Sequence, residues 1–420
     1  ETLTLEDCLR IGIDNNLSLE GKRKEIQRSK YGVSENRSKL LPQINAIAGY
    51  SNNFDPPVSV TDGSSYGVPY NITQTLQHSA NAGLEMQMPL FNQTLYTSMS
   101  IAKVMEEISR LSYGKAREDV ILQISKMYYL GQVTAEQIML IKANITRLEE
   151  LRDITQAFFD NGMSMEVDLK RVNINLENLK VQYDNAQAMM KQQLNMLKYI
   201  MDYPAEKEIA LTPVNTDSIT TVALTGLSEN IYELQLSQSQ VQLAERQKKI
   251  IANGYIPSLS LTGSWRYAAY TDKGYHWFHS GPSNQWFRSY GVGLTLRIPI
   301  FDGLDKTYKI KKAMIDIENK RLAWEDARKN LQTQYLNAVN DLMNNQRNFK
   351  KQKDNYLLAE DVYAVTSDRY REGIASMTEV LQDEMQMSEA QNNYISAHYN
   401  YRVTNLMLLK LTGQIESLVK

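Results

Sequence analysis

The sequence predicts an α+β membrane protein: internally duplicated, with long helices packed as coiled coils and four short strands that cross a bilayer. Three observations carry this. The same landmarks occur twice in the same order. Two segments contain no proline and would each form a helix of roughly 100 Å at 1.5 Å per residue. Four runs of about ten residues alternate apolar with polar side chains, the period of a half-buried strand.

The duplication organises the rest. The stretch LLPQINAIAGY (40–50) has a counterpart in YIPSLSLTGSW (255–265), and MPLFNQTLYTS (88–98) in IPIFDGLDKTY (298–308). FFDNGMSMEVDLKR (158–171) matches RYREGIASMTEVLQ (369–382), with Gly162 opposite Gly373 and Asp168 opposite Glu379. The repeats are residues 1–201 and 226–420, joined by a connector at 202–225 where prolines appear and periodicity is lost.

In each repeat the first helix, 14–40 or 226–253, stops before a proline, Pro42 or Pro257. The long helices follow the strands at 92–160 and 303–372, and returning helices lie at 165–201 and 376–412. Tyr335, Leu342, Phe349, Tyr356, Tyr363 and Tyr370 recur every seven residues, a coiled-coil seam. A first helix plus a returning helix nearly equals one long helix. Two short helices stacked end to end therefore flank each long one, and the N-terminus, connector and C-terminus gather midway.

The strands are expected at about 42–51, 79–90, 256–270 and 287–300. In the third, Leu259, Leu261, Trp265, Tyr267 and Ala269 oppose Ser258, Ser260, Thr262, Ser264 and Arg266. Ten residues with this alternation suit a tilted membrane strand. Tyr50, Trp265, Tyr267, Tyr270, Trp286 and Tyr290 are the expected interfacial aromatic girdle, with Trp277, Phe278 and Phe287 near the same loop-side ends. Four strands cannot close a barrel, and a sheet in lipid tolerates no open edge, so the chain must oligomerise. Two copies give eight strands and a packed lumen; three give twelve and room for a passage.

Composition narrows the function. With 46 basic and 48 acidic residues there is no basic surplus to favour nucleic acid. No run of apolar residues is long enough for a transmembrane helix. The chain opens at ETLTLEDCLR without a basic or apolar leader, so any signal peptide is expected to be gone already. The one cysteine, Cys8, is expected as a buried helix residue rather than a lipid anchor. His276 and His279 in HWFH have no third ligand nearby and fit a surface loop better than a metal site. No phosphate-binding glycine loop or nucleophile elbow is present, so no enzyme, cofactor or metal is expected.

The chain resembles, along nearly its whole length, the TolC-like outer-membrane efflux proteins of Gram-negative bacteria. The resemblance rests on NNLSLEGKRKEIQRSKYGVSENRSKLLPQI leading into a strand, and on PLF and PIFDG leading out of one. RYREGIASMTEVL followed by AQNNYISAHYNYRVTNLMLLKLTG is the most specific part. It implies a homotrimer with a shared twelve-stranded β-barrel in the outer membrane and a twelve-helix α-barrel tunnel in the periplasm. It also implies a passive exit duct for tripartite efflux or type I secretion, whose tip is opened by a periplasmic adaptor and an inner-membrane pump.

By motif position the resemblance assigns the constriction to Glu379, with Gln382 where a second carboxylate is common, and Tyr370 to the closed tip. Asp168 is the first-repeat counterpart of Glu379. Ala375 stands where some relatives carry a latching arginine. A ring of three carboxylates on a pore axis would select cations. Ser376, Met377, Thr378 and Glu379 equally spell a capping box that starts a helix. Gly162, Ser164, Gly373 and Ser376 mark the tip turns expected to touch the adaptor. Two other readings remain: a soluble, extended coiled-coil scaffold, and a stand-alone porin, which the long proline-free helices disfavour.

Overall fold

The computed structural model describes residues 2–56, 58–74, 76–213, 226–271 and 286–419. His276, Trp277, Phe278, His279 and connector residues 214–225 lie outside the described residues. The elements of the first repeat are β1 (Thr2–Leu3), α1 (Leu5–Asn15), α2 (Leu17–Ser38), β2 (Gln43–Asn52), β3 (Val58–Asp62), β4 (Tyr70–Gln74), β5 (His78–Phe91), α3 (Gln93–Asp160) and α4 (Glu166–Met201). Then come β6 (Ala210–Leu211), α5 (Tyr232–Asn253), β7 (Ser258–Thr271), β8 (Trp286–Arg297), α6 (Asp305–Arg371) and α7 (Met377–Leu411). The paired helices match closely in length: 68 and 67 residues for α3 and α6, 36 and 35 for α4 and α7.

Three local features differ from expectation. The first helix is two helices, because Asn16 breaks it: Asn16 Oδ1 accepts the Leu19 N–H at 3.1 Å and Asn16 Nδ2 donates to Ile200 O at 2.7 Å. Its start lies well before residue 14, where Thr4 and Asp7 form a capping box. The connection between β2 and β5 holds an extra hairpin, β3–β4, whose five-residue strands are too short to stand out against the Gly- and Ser-rich turn. Finally, β8 ends at Arg297 and α6 begins at Asp305, after Pro299 and the positive-φ pair Gly303 and Leu304.

The chain divides into two compact units. One comprises residues 27–107 and 239–320 and contains a four-stranded antiparallel sheet of order β2-β5-β7-β8. The two repeats meet in this sheet through β5 and β7, with Leu84 opposite Trp265 and Ala82 opposite Tyr267. Its edges, β2 and β8, pair with no other described strand.

The other unit comprises residues 1–26, 108–238 and 321–420 and is helical. Its largest core gathers the N-terminal segment, the connector and the C-terminal segment around α3, α6 and α7. There β1 pairs in parallel with β6, Gln132 Nε2 donates to Thr212 O at 2.6 Å, and Arg117 pairs with Glu416 at 2.8 Å. Cys8 is fully buried in this core, and burial pushes its thiol up to about 12. The seven-residue seam on α6 faces inward: Phe349 stacks on Tyr394 and Tyr401, and Tyr335, Leu342, Tyr363 and Tyr370 are buried. Among the described residues no helix is long and apolar enough to cross a membrane.

Candidate functional site

The residues singled out by the sequence fall in two places: the turns at the ends of the long helices, and the faces of the sheet. At the turns, both long helices stop at a left-handed glycine, Gly162 and Gly373, each with φ +73°. Each glycine N–H bonds back into its helix, to Phe159 O and Tyr370 O, both at 2.9 Å. The returning helices then start differently. In α7, Ser376 accepts the Glu379 N–H at 3.3 Å, and the Ser376 N–H donates to Glu379 Oε2 at 2.7 Å, a complete capping box. In α4 the corresponding residue is Met165, which offers no side-chain cap.

Glu379 and Gln382 are both exposed, one turn apart on α7, whereas Met377, Val380 and Leu381 face the core. The Ser376 backbone and side-chain donors hold the Glu379 carboxyl below the usual carboxylate range, so it is ionised at neutral pH. Asp168 is less exposed and pairs with Arg171 at 3.4 Å. Arg171 also donates to Thr378 Oγ1 at 3.3 Å, which ties the first turn of α7 to the second turn of α4. Tyr370 is placed elsewhere. Its ring is buried against Phe158, and its hydroxyl donates to Thr155 Oγ1 at 3.3 Å. Ser164 is partly buried; Met163, Met165 and Ile374 around it are exposed apolar side chains.

Ala375 packs against the apolar cluster behind the turns, formed by Leu148, Leu151, Val172, Leu176, Tyr370 and Val380 among others. An arginine there would displace that packing. Two ion pairs join α3 to α6 nearby: Arg147 to Glu360 at 2.5 Å and Arg371 to Glu150 at 3.4 Å. Sequence reasoning missed both, because charged residues beside a coiled-coil seam read as solvated surface. Behind them Asn144 donates to Gln391 at 2.7 Å, and Glu384 is buried with one carboxylate oxygen unpartnered. Burial raises the Glu384 carboxyl to about 6.

The sheet has two chemically distinct faces, fixed by a register without slips from Ala80 to Met88 against β7. One face is polar and holds the Arg266–Glu85 ion pair, opposite Gly83 and Ser264. Glycines on this face leave a shallow cavity lined by Asn45, Glu85, Thr262, Arg266, Gly291 and Gly293. The other face is apolar and bare, with Tyr290 78% and Val292 81% exposed.

Trp265, Tyr267, Trp286 and Tyr290 share the apolar face, and the rings of Trp265 and Tyr267 meet edge to face at 5.4 Å. Tyr50 is on it too, its hydroxyl 2.8 Å from His78 Nδ1. Tyr270 is not: it pairs with Ser79, on the face of Ser264 and Arg266. Phe287, opposite Ala268, shares that polar face. Counting from the strand's own period removes both from the aromatic girdle. Among the described residues no group of three or more His, Cys, Asp or Glu is placed to hold a metal ion.

Comparison with known proteins adds the remaining finding. A family model described as Outer membrane efflux protein matches residues 11–201 and 224–414. Over 399 residues the chain is 21% identical to Outer membrane protein TolC of Vibrio cholerae serotype O1, covering 91% of this chain and 84% of the relative. It is 23% identical over 431 residues to the probable efflux pump outer membrane protein TtgC of Pseudomonas putida, covering 97% and 82%. Among solved structures, CusC superposes with a TM-score of 0.81 at 16% identity, covering 97% of this chain and 91% of that one. The open-state MtrE outer membrane channel of Neisseria gonorrhoeae gives 0.77 at 18% identity, covering 97% and 88%.

Proposed function

The chain belongs to the outer membrane efflux protein family, and we propose that three copies assemble into the outer-membrane exit duct of an efflux system. It is an outer-membrane efflux channel rather than an enzyme. The observation that carries the reading is the four-stranded sheet, whose apolar face is exposed and whose edges β2 and β8 pair with no other described strand. Unpaired backbone groups are intolerable in lipid, so β8 of one copy must meet β2 of the next. Three copies make twelve strands, wide enough for a passage lined by the polar face.

In this reading the helices extend into the periplasm and the glycine turns form the duct's closed end. Three Glu379 carboxylates, kept ionised by their capping bonds, ring the axis with Gln382 one turn further on. Tyr370 acts as a strut behind the constriction rather than its lining, since its ring is buried. Opening requires the α3–α6 ion pairs and the Tyr370–Thr155 bond to yield, a switch between two packed states. The exposed Met163, Met165 and Ile374 beside Gly162, Ser164, Gly373 and Ser376 are the surface for a periplasmic adaptor, which couples the duct to an inner-membrane pump. The duct itself consumes no energy.

Single-channel recording in planar bilayers tests this. Wild type should give small, cation-selective currents blocked by a divalent cation. Glu379→Gln keeps a capping-box residue but removes the charge, so block should be lost while the fold stands. Block that survives the substitution reduces Glu379 to a helix cap. Protein that stays soluble without detergent and never conducts would return the coiled-coil scaffold to favour.

A further inference from the structure

Arg288 is out of place. It stands on the apolar face of β8, directly opposite Tyr267, with Trp286 and Tyr290 as its same-face neighbours along the strand. Among the described residues of β2, β5, β7 and β8, it is the sole Arg, Lys, Asp or Glu on that face. The other strand charges, Glu85, Arg266 and Arg297, lie on the polar face, where Arg266 already pairs with Glu85. Arg288 is exposed and makes no hydrogen bond or ion pair with a described residue.

Closing the sheet does not neutralise it. The strand that β8 would meet, β2, runs QINAIAGYSN and contains neither Asp nor Glu. An arginine on the lipid face is costly at the bilayer midplane and tolerated near the interface. Arg288 lies at the loop end of β8, with Val292, Leu294 and Leu296 continuing the face toward the other end. Its neighbours are amphipathic aromatics, which favour the headgroup level. A guanidinium there offers a planar fork of donors that fits phosphate with two parallel bonds, and the Tyr267 and Tyr290 hydroxyls add polar groups beside it.

We infer that Arg288, framed by Tyr267, Trp286 and Tyr290, forms a binding site for the phosphate of an outer-leaflet lipid. The inference rests on the duct reading, which puts the loop ends of the strands in the outer leaflet. It assigns the site to a phosphorylated glycolipid or phospholipid headgroup, held from the side of the barrel.

Native mass spectrometry of detergent-purified protein provides the test, with a bisphosphorylated glycolipid and its dephosphorylated counterpart as probes. Wild type should bind the phosphorylated lipid about tenfold more tightly, the scale of one charge-assisted contact. Arg288→Gln should erase that preference, and Arg297→Gln on the polar face should keep it. Arg288→Lys, which keeps the charge and loses the fork, should fall between. Equal binding of the two lipids by wild type overturns the site without needing any variant, and so does a preference that survives Arg288→Gln. Wild type that conducts in bilayers but ignores phosphate overturns the site alone. Wild type that remains soluble without detergent and retains neither lipid overturns the duct reading, and the site falls with it.

Discussion

Arg147 Nη2 donates to Glu360 Oε1 at 2.5 Å, joining α3 to α6 across 213 residues of sequence. Arg147 is held in place by Asn144 at 3.0 Å and touches Met387 Sδ at 3.6 Å, so one guanidinium binds three helices together. Both partners are about one-third exposed, which screens the pair. Breaking it with Arg147→Ala should cost on the order of 1 kcal/mol. If the α3–α6 contact restrains the closed state, the variant should also conduct more than wild type. A double-mutant cycle with Glu360→Ala, read by thermal unfolding and by conductance, checks both.

Tyr370→Phe should be mild. Thr155 keeps its own bond to Leu151 O at 2.7 Å, so losing the tyrosine hydroxyl leaves no buried donor stranded. The expected loss is about 0.5–1.5 kcal/mol. Tyr370→Ala empties a buried ring position against Phe158 and should cost about 3–5 kcal/mol. Thermal melts of the two variants separate the hydroxyl from the ring.

Gly162→Ala and Gly373→Ala test backbone alone. An added Cβ meets nothing within 4 Å at either position, but both residues sit at φ +73°. Each substitution should destabilise by about 1–2 kcal/mol through the left-handed conformation. Gly21→Ala, in open space within α2 and without a positive φ, should be neutral to stabilising in the same melts.

Glu118 makes the helical unit sensitive to pH. Burial raises its carboxyl to about 7, with Glu416 and Asp119 pushing the same way and Lys410 opposing. Above pH 4.5 the unfolded chain has released this proton while the folded chain still holds it. Stability therefore declines as pH rises from 4.5 to about 7. Glu118→Gln should remove that slope, raise stability at pH 8 by on the order of 1 kcal/mol, and change little at pH 4. Melting temperature measured across pH shows whether the slope belongs to this residue.

What could be read from the sequence depended on repetition. The long helices, the glycine turns and the four strands each leave a periodic or duplicated trace, and a strand's alternation assigns faces residue by residue. Tyr270 shows the limit: its aromatic ring suggested the girdle, but parity and register put it with Ser264. Arg147–Glu360 and Tyr370–Thr155 left no trace, because side chains that meet across two long helices have no shared local pattern. The split at Asn16 depends on one side-chain amide that caps the start of α2 and reaches the Ile200 carbonyl, a tertiary contact invisible to periodicity.

The β5–β7 pairing has a consequence for how the protein is made. Its register joins Ala80 to Ala269, so the central seam of the sheet waits for nearly two-thirds of the chain to be synthesised. Until β7 arrives, β5 can pair only with β2, and their apolar side chains have no membrane-ready sheet to join. Contacts this distant in sequence form slowly and leave strand edges open to wrong partners. Synthesis therefore leaves β2 and β5 as an isolated pair with an open edge until β7 emerges, and the sheet can be completed only after that point.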